Sequence, residues 1–273
     1  MKANIFSREV PIGSCMFFET RTHSFKSQWH SHPEYELVFI KEGHGILKYG
    51  SAIIEYTPQD LFLFAPWIPH EFIEKSQNHH SISSIFHAEI LSLPSFHCSM
   101  STQINKILEL SLNGIKFPKS KNTELFFTNT LLKQGLEQTI ELILFIAYLG
   151  KYKDNIYKLT DINNPQDNLS IKRYAQIHNI LKYINDYIDQ DITIDKLAKR
   201  FFISRSSLSR LFSSILQTGV LQYITQQRLS YACRLLATTN IPITKISEKT
   251  GFKSISSFNR SFLKYKKIPP RQY

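Results

Sequence analysis

Apolar positions change their rhythm twice along this chain of 273 residues. Between Glu34 and Phe72 they fall in short runs at residues 37–40, 46–49, 53–56 and 61–64, rich in Val, Ile, Phe and Tyr. Gly43, Gly45, Gly50, Pro58 and Pro66 punctuate them. Runs of that length between turn residues predict short strands, and their close succession predicts an antiparallel barrel or jelly roll. From residue 99 the period lengthens. Ile104, Ile107, Leu108 and Leu112 recur at helical spacing, and residues 124–152 set Leu131, Leu132, Leu136, Ile140, Ile143, Leu144 and Ala147 in a second stripe. Lys133, Glu137 and Glu141 interrupt that stripe, so neither segment predicts a membrane span. The pattern predicts helices that pack on the barrel and pair two subunits, with an intrachain lid as the alternative. Residues 153–170, carrying Asp154, Asn155, Asp161, Asn163, Asn164, Pro165, Asp167 and Asn168, predict a polar linker.

The last third repeats itself. Ser206-Ser207-Leu208-Ser209-Arg210-Leu211-Phe212 and Ser256-Ser257-Phe258-Asn259-Arg260-Ser261-Phe262 read almost alike, and Tyr223 and Tyr273 keep the same offset. Each copy predicts a short helix, with Ile194 and Leu197 or Ile243 and Ile246 one turn apart, then a tight turn at 201–204 or 250–253, then a second helix. Gly251 suits the left-handed backbone that such a turn often needs. Leu208, Leu211, Phe212, Phe258 and Phe262 fall on the inward face of the second helices. The outward faces carry Arg205, Ser206, Ser209 and Arg210 in one copy and Ser256, Asn259 and Arg260 in the other. A helix from about 221 to 237 joins the copies, with Leu221, Ile224, Ala232, Leu235 and Leu236 as its stripe and Arg228 and Arg234 outside. This is the outline of a tandem helix-turn-helix.

Charge sharpens that outline. Residues 169–273 hold 18 Lys and Arg against 5 Asp and Glu, whereas residues 1–168 hold 15 against 17, so the net +11 of the chain resides in the repeat. Such a surface predicts polyanion binding with a steep salt dependence. An apolar content of 42% suffices for two cores. Cys15, Cys98 and Cys233 stand far apart, which predicts reduced thiols and neither a disulfide framework nor a zinc knuckle. The N-terminus shows no apolar signal segment, so a cytoplasmic protein is expected. No Gly-rich phosphate loop or Ser-His-Asp order predicts an enzyme.

From about Asp191 to Tyr273 the chain resembles the DNA-binding domain of the AraC/XylS family of bacterial transcription regulators. The resemblance rests on Ile246-Ser247, Gly251-Phe252, Phe258-Asn259-Arg260-Ser261-Phe262 and Pro270-Arg271-Gln272-Tyr273. It implies two reading helices held about one DNA turn (~34 Å) apart in successive major grooves. It further implies base contacts by Ser206, Ser209, Arg210, Ser256, Asn259 and Arg260, and phosphate contacts by Arg205, Lys253, Ser254, Lys264, Lys266 and Arg271. Arginine can fork onto guanine O6 and N7, asparagine onto adenine N6 and N7, and serine can donate to phosphate or either base. The chain departs from the family where a glycine usually follows each repeat's last phenylalanine. Gln217 and Lys267 stand there, which predicts that another residue makes the turn, Gly219 in the first copy.

Trp29-His30-Ser31-His32, Glu36, Gly43, Asp60, Pro66 and Pro69-His70 resemble the cupin-like sensor domain found before the reading domain in the same family. His30 and His32 share a strand face, so both can look into a barrel. The spacing of His30, His32, Glu36 and His70 follows that of metal-binding cupins and would suit Zn, Fe, Mn or Ni. Sensor barrels of this family, however, are read as effector pockets without metal, and Ile68 replaces a usual glycine. The expectation is therefore no cofactor, and a polar effector held by Trp29, His30, His32, Glu36, Trp67 and His70, the tryptophans suiting a sugar or a small ring.

The expected architecture is multidomain α+β: a cupin-like antiparallel β-barrel over 1–98, helices over 99–152 that dimerise or pack, a linker over 153–170, and an all-α tandem helix-turn-helix over 171–273. The expected function is an effector-controlled transcription regulator, an activator by resemblance, whose partners are promoter DNA, a small-molecule effector, RNA polymerase and a second copy of itself. The competing readings are a ligand-independent regulator whose barrel only dimerises or binds a protein, and a metal-dependent cupin enzyme.

Overall fold

The computed structural model describes residues 4–5, 10, 14–23, 27–91, 99–160 and 165–273. Cys98, and Asp161, Asn163 and Asn164 of the expected linker, lie outside the described residues. Contacts divide the chain into two units, Met1–Ala175 and Gln176–Tyr273.

The first unit contains β1 (Asn4–Ile5), β2 (Cys15–Thr22), β3 (His30–Ser31), β4 (Tyr35–Glu42), β5 (Gly45–Tyr49), β6 (Ala52–Tyr56), β7 (Leu61–Phe64), β8 (His70–Glu74), β9 (His79–Phe86), β10 (Ile115–Phe117) and β11 (Tyr157–Lys158). They form two sheets, ordered β1-β3-β8-β5-β6 and β11-β10-β7-β4-β9-β2. All pairs are antiparallel except β1 with β3. The helices α1 (Ser99–Leu110), α2 (Lys121–Thr130) and α3 (Gly135–Leu149) lie within the same unit.

Strand β4 shows why the sequence forms this wall. Residues 35–40 are all buried, because the strand is covered on both faces. Alternation sends Glu36, Val38 and Ile40 toward a cavity. Phe39 points the other way and stacks on Phe127 of α2, ring centroids 5.4 Å apart. Beyond β9 in the same sheet, β2 repeats the scheme, with Phe18 and Thr20 on the cavity and Phe17 edge-on to Phe126 and Phe127.

The helical region differs from its predicted form in two ways. Residues 115–117 are a strand on β7, not part of a helix. The long stripe over 124–152 is cut at 131–134, where Gly135 takes φ +58° and Lys133 pairs with Glu137 and Glu141 at 3.1 and 2.7 Å. The stripe read from sequence also splits between faces. Ile143 and Ala147 are buried with Leu142, Phe145, Ile146 and Leu149, whereas Leu132, Leu136, Ile140 and Leu144 are exposed. Nor is the expected linker wholly free of structure. β11 pairs with β10, Leu159 is buried, and Thr160 Oγ1 donates to the Asn113 carbonyl at 2.9 Å.

Helix α4 (Pro165–Asp186) crosses the division between units, and Ile177, Ile180, Leu181 and Ile184 of its second half are buried. The second unit continues with α5 (Ile194–Arg200), α6 (Arg205–Ile215), α7 (Val220–Thr238), α8 (Ile243–Lys249) and α9 (Ile255–Lys266). Leu197, Leu208, Leu211 and Phe212 are buried in the first copy, and Ile246, Phe258 and Phe262 with Leu229, Ala232 and Cys233 of α7 in the second. The repeated tyrosines do the same work twice. Tyr223 meets Phe212 edge-on at 5.8 Å, and Tyr273 meets Phe262 edge-on at 5.5 Å.

The turns are duplicated in their hydrogen bonds as well. Ile203 N–H donates to the Ala198 carbonyl and Phe202 N–H to Lys199. In the second copy Phe252 N–H donates to Ser247 and Gly251 N–H to Glu248. This is a Schellman ending, which requires one residue in the left-handed region. Phe202 supplies it at φ +53° and Gly251 at φ +78°.

Two expectations are corrected. Gln217 and Lys267 make their own turns at φ +52° and +64°, while Gly219 is extended at φ −83° and merely precedes α7. The Lys267 N–H donates to the Leu263 carbonyl at 3.0 Å, and that bond fixes the left-handed geometry despite the Cβ. Lys267→Gly should therefore raise stability by roughly 0.5–1 kcal/mol. A higher urea midpoint with an unchanged slope would show it; an unchanged midpoint would refute the strain. Arg228 is not outside, as its charge suggested. Its Nε donates to the Ile188 carbonyl at 3.1 Å and its Nη2 to Gln190 at 2.6 Å, capping carbonyls that follow α4, while Leu221 of the expected stripe is exposed.

Candidate functional site

Two serines outside the repeated motif set up the nucleic-acid face. Ser204 Oγ accepts from Ser207 N–H at 3.0 Å and Ser254 Oγ from Ser257 N–H at 3.2 Å, which starts α6 and α9 at equivalent points. The caps being taken, Ser206 and Ser256 stay exposed in the first turn of each helix; the Ser206 hydroxyl lies 2.9 Å from that of Ser204. Ser209, Arg210, Asn259 and Arg260 are exposed as well, opposite the buried Leu208, Phe212, Phe258 and Phe262. Among the described residues no ion pair engages Arg210 or Arg260.

The expected phosphate set Arg205, Lys253, Ser254, Lys264, Lys266 and Arg271 is exposed too, but two members have acidic neighbours. Arg205 pairs with Asp195 at the start of α5. Lys253 lies 3.1 Å from Asp191, whose carboxyl is held below its usual range by the hydrogen bonds of Lys196 and Lys253. Arg205, Ser206 and Ser209 of α6 face Lys253, Ser257 and Ser261 across a groove of about 760 Å³. Chemically, both helices offer serine hydroxyls in the first turn, at the positive end of the helix dipole, and forked donors one turn on, which suits phosphates and purine edges.

The first unit holds a cavity of about 230 Å³ between its sheets. His30 and His70 arrive as cross-strand partners on β3 and β8, His32 follows β3, and Glu36 comes from β4 in the other sheet. Glu36 Oε2 lies 3.1 Å from His32 Nε2 and 3.0 Å from His70 Nε2. Burial would raise the Glu36 carboxyl, but the hydrogen bonds of these two rings outweigh it and hold the group well below its usual range. Burial acts against a charged His32, and the carboxylates of Glu34 and Glu36 overcome it, raising the ring to about 9. At His30 the balance falls the other way; burial and the neighbouring His70 ring prevail and lower it to about 4.

Trp29 and Trp67 do not line this cavity, although His30, His32, Glu36 and His70 do. Trp67 instead sits in a turn at φ +66° and donates its backbone N–H to the His32 carbonyl at 2.7 Å. The wall includes residues that the sequence reading passed over: Phe18, Thr20, Glu34, His79, Ser81, Ser83 and Ile85. The alternation His79, Ser81, Ser83, Ile85 along β9 was the available signal, since polar groups at every second position of a buried strand face a polar space.

Comparison with known proteins separates the regulator from the enzyme. Residues 197–273 match the model of a helix-turn-helix domain, and residues 12–89 match that of an AraC-like ligand binding domain. The multiple antibiotic resistance protein MarA of Escherichia coli is 30% identical over 97 residues, which cover 36% of this chain and 76% of MarA. The chain belongs to the AraC family of transcriptional regulators.

Other relatives of this AraC family member match over less of their length. The HTH-type transcriptional regulator AlkR of Acinetobacter baylyi is 28% identical over 142 residues, 52% of this chain and 45% of AlkR, so the match spans under half of that relative. The melibiose operon regulatory protein of Escherichia coli is 32% identical over 106 residues, 38% of this chain and 35% of that protein. Among solved structures, ToxT from Vibrio cholerae aligns over 95% of this chain and 97% of its own at 16% identity and a TM-score of 0.43. The AraC family is one of transcription factors, not enzymes. This member is a DNA-binding regulator with a β-sheet ligand-binding domain followed by helices and a C-terminal helical helix-turn-helix domain. No helix among the described residues is long and apolar enough to cross a membrane.

Proposed function

We propose that this regulator activates transcription from a promoter it reads with α6 and α9, working with RNA polymerase, and that a small molecule in the inter-sheet cavity controls it. The observation that carries the reading is the exposed Arg210, Asn259 and Arg260 on helices started alike by Ser204 and Ser254. Ser206, Ser209, Arg210, Ser256, Asn259 and Arg260 touch base edges, and Arg205, Lys253, Ser254, Lys264, Lys266 and Arg271 touch phosphates. Asp195 and Asp191 keep Arg205 and Lys253 extended until phosphate replaces them. A sugar loses its support as the effector, because Trp29 and Trp67 are away from the cavity.

The protein works as a homodimer through Leu132, Leu136, Ile140 and Leu144. These side chains follow one another at four-residue spacing along the corner into α3, and each is exposed. Three large apolar groups in a row on the face of α3, with Leu132 in the turn before it, favour a partner of the same kind. A footprint of the full chain on the DNA flanking its own gene, with and without candidate metabolites, tests the whole reading. The expected result is two protected half-sites whose pattern shifts with ligand. The Leu136→Glu, Ile140→Glu variant should sediment as a monomer and protect a single half-site. A wild-type chain that sediments as a monomer, or a footprint indifferent to every position of α6 and α9, defeats it.

A further inference from the structure

We propose that the inter-sheet cavity binds one divalent transition-metal ion, with the imidazoles of His30, His32 and His70 and the carboxylate of Glu36 as its ligands. This rests on the reading of the cavity as the regulator's ligand site and deepens it: the metal is what that site recognises first. One ligand atom from each of the four residues lies within 4.8 Å of all the others, and it is the one such cluster among the described residues. Ligands about 2.0–2.2 Å from a tetrahedral or octahedral ion lie roughly 3–3.6 Å apart. The 3.1 Å and 3.0 Å separations from Glu36 Oε2 to His32 Nε2 and His70 Nε2 already have that length. Drawing in His30, whose ring is tilted against that of His70 with centroids 4.4 Å apart, needs a shift of about 1 Å or a little more.

The second nitrogen of each ring supplies an independent argument. His30 Nδ1 lies 2.7 Å from the Gln28 carbonyl and His70 Nδ1 lies 3.0 Å from the Ile68 carbonyl. His32 Nδ1 lies 3.3 Å from Glu34 Oε2, without the alignment of a full hydrogen bond. A carbonyl or carboxylate behind the outer nitrogen fixes the tautomer and turns the Nε2 lone pair inward, which is how metal-bound histidines are braced. With Glu34 and Glu36 only 3% and 7% exposed, the cluster brings two carboxylates into a buried space, where a cation offsets their charge. A divalent cation at the Nε2 side would take the place of the protons that link Glu36 to the two rings. Three nitrogens and one oxygen suit Zn²⁺ or Fe²⁺ better than Mg²⁺ or Ca²⁺. The apolar remainder of the cavity, Phe18, Val38, Ile40, Phe72 and Ile85, leaves room beside the ion for an organic molecule with an oxygen donor.

The test uses the full chain, stripped with a chelator and titrated with Co²⁺ alone. The expected result is visible ligand-field absorption that saturates at one equivalent, is displaced by Zn²⁺, and accompanies a rise of several degrees in the thermal midpoint. Glu36→Gln keeps the side-chain volume and should weaken Co²⁺ binding at least 10-fold; His30→Gln should alter the spectrum with a smaller loss. His79→Gln, which lines the same cavity outside the cluster, should leave the absorption unchanged. A folded wild-type chain with neither absorption nor Zn²⁺ stabilisation overturns the proposal, as does a Co²⁺ spectrum indifferent to both Glu36→Gln and His30→Gln. A Val38→Trp variant that fills the cavity separates this failure from that of the underlying reading. If it abolishes the ligand-dependent change in the footprint while no metal binds, the metal alone is lost; if the change survives, the effector reading of the cavity fails as well.

Discussion

Arg260→Ala is expected to weaken binding to the cognate promoter by about 1–3 kcal/mol, roughly 5- to 150-fold, while binding to random duplex falls much less. The guanidinium is exposed on α9, and no ion pair among the described residues competes for it. Its bidentate fork is therefore unspent, and under the proposed reading its loss should remove discrimination at one base pair. Lys264→Ala gives the contrasting behaviour: a loss of similar size on every sequence, with the salt slope reduced by about 1. Anisotropy titrations on both duplexes at two salt concentrations separate the two variants. Equal losses on cognate and random DNA for Arg260→Ala would remove the base-reading role from this residue.

Gly251→Ala should cost about 2–5 kcal/mol of stability in the second unit, a large effect for a single methyl group. Two penalties add. The left-handed backbone at φ +78° costs a residue with a Cβ about 1–2 kcal/mol. The new Cβ would also stand 2.6 Å from the Ile188 carbonyl oxygen and 2.9 Å from Arg228 Nε and Nη2. It would thus wedge against the bond by which Arg228 caps the chain after α4, for about 1–3 kcal/mol of overpacking. Urea unfolding followed by far-ultraviolet dichroism measures the loss, and promoter affinity should fall with it because α9 starts just beyond the altered turn. A change below about 0.5 kcal/mol would show that the turn and the arginine yield freely.

Much of the second unit was legible in the order of its residues. The near-duplicate motifs carry their own inward pattern, so Leu208, Phe212, Phe258 and Phe262 are placed correctly by period alone. What escaped was conformational. Nothing in the identity of Gln217 or Lys267 announces a left-handed backbone, and at Lys267 the hydrogen bond that imposes it belongs to the preceding helix. Arg228 escaped for a related reason. A guanidinium reads as solvent-facing unless one knows that unpaired carbonyls wait within reach, and those of Ile188 and Gln190 lie some forty residues earlier.

In the first unit the runs with strong β character, such as residues 37–40 and 61–64, were legible as strands, whereas β2 and β9 were not. Their sequences Cys15–Thr22 and His79–Phe86 mix polar and apolar groups, and only the cavity on one side explains the polar half. The cavity histidines and Glu36 were found by spacing, yet the tryptophans near them in sequence were misplaced. Adjacent residues on extended chain point to opposite sides, and Trp67 is further turned away by its own positive φ.

Strand β4 acts as a party wall one residue thick. Whatever presses on Glu36 or Val38 from one room must move the main chain that holds Phe39, and Phe39 is stacked on Phe127 in the next. Phe127 in turn meets Phe126, which lies flat on Phe145 of α3 at 3.8 Å, one residue after Leu144. Four touching rings thus run without any hinge from the cavity wall to the neighbour of Leu144 in the outer leucine row, as courses of brick join two rooms.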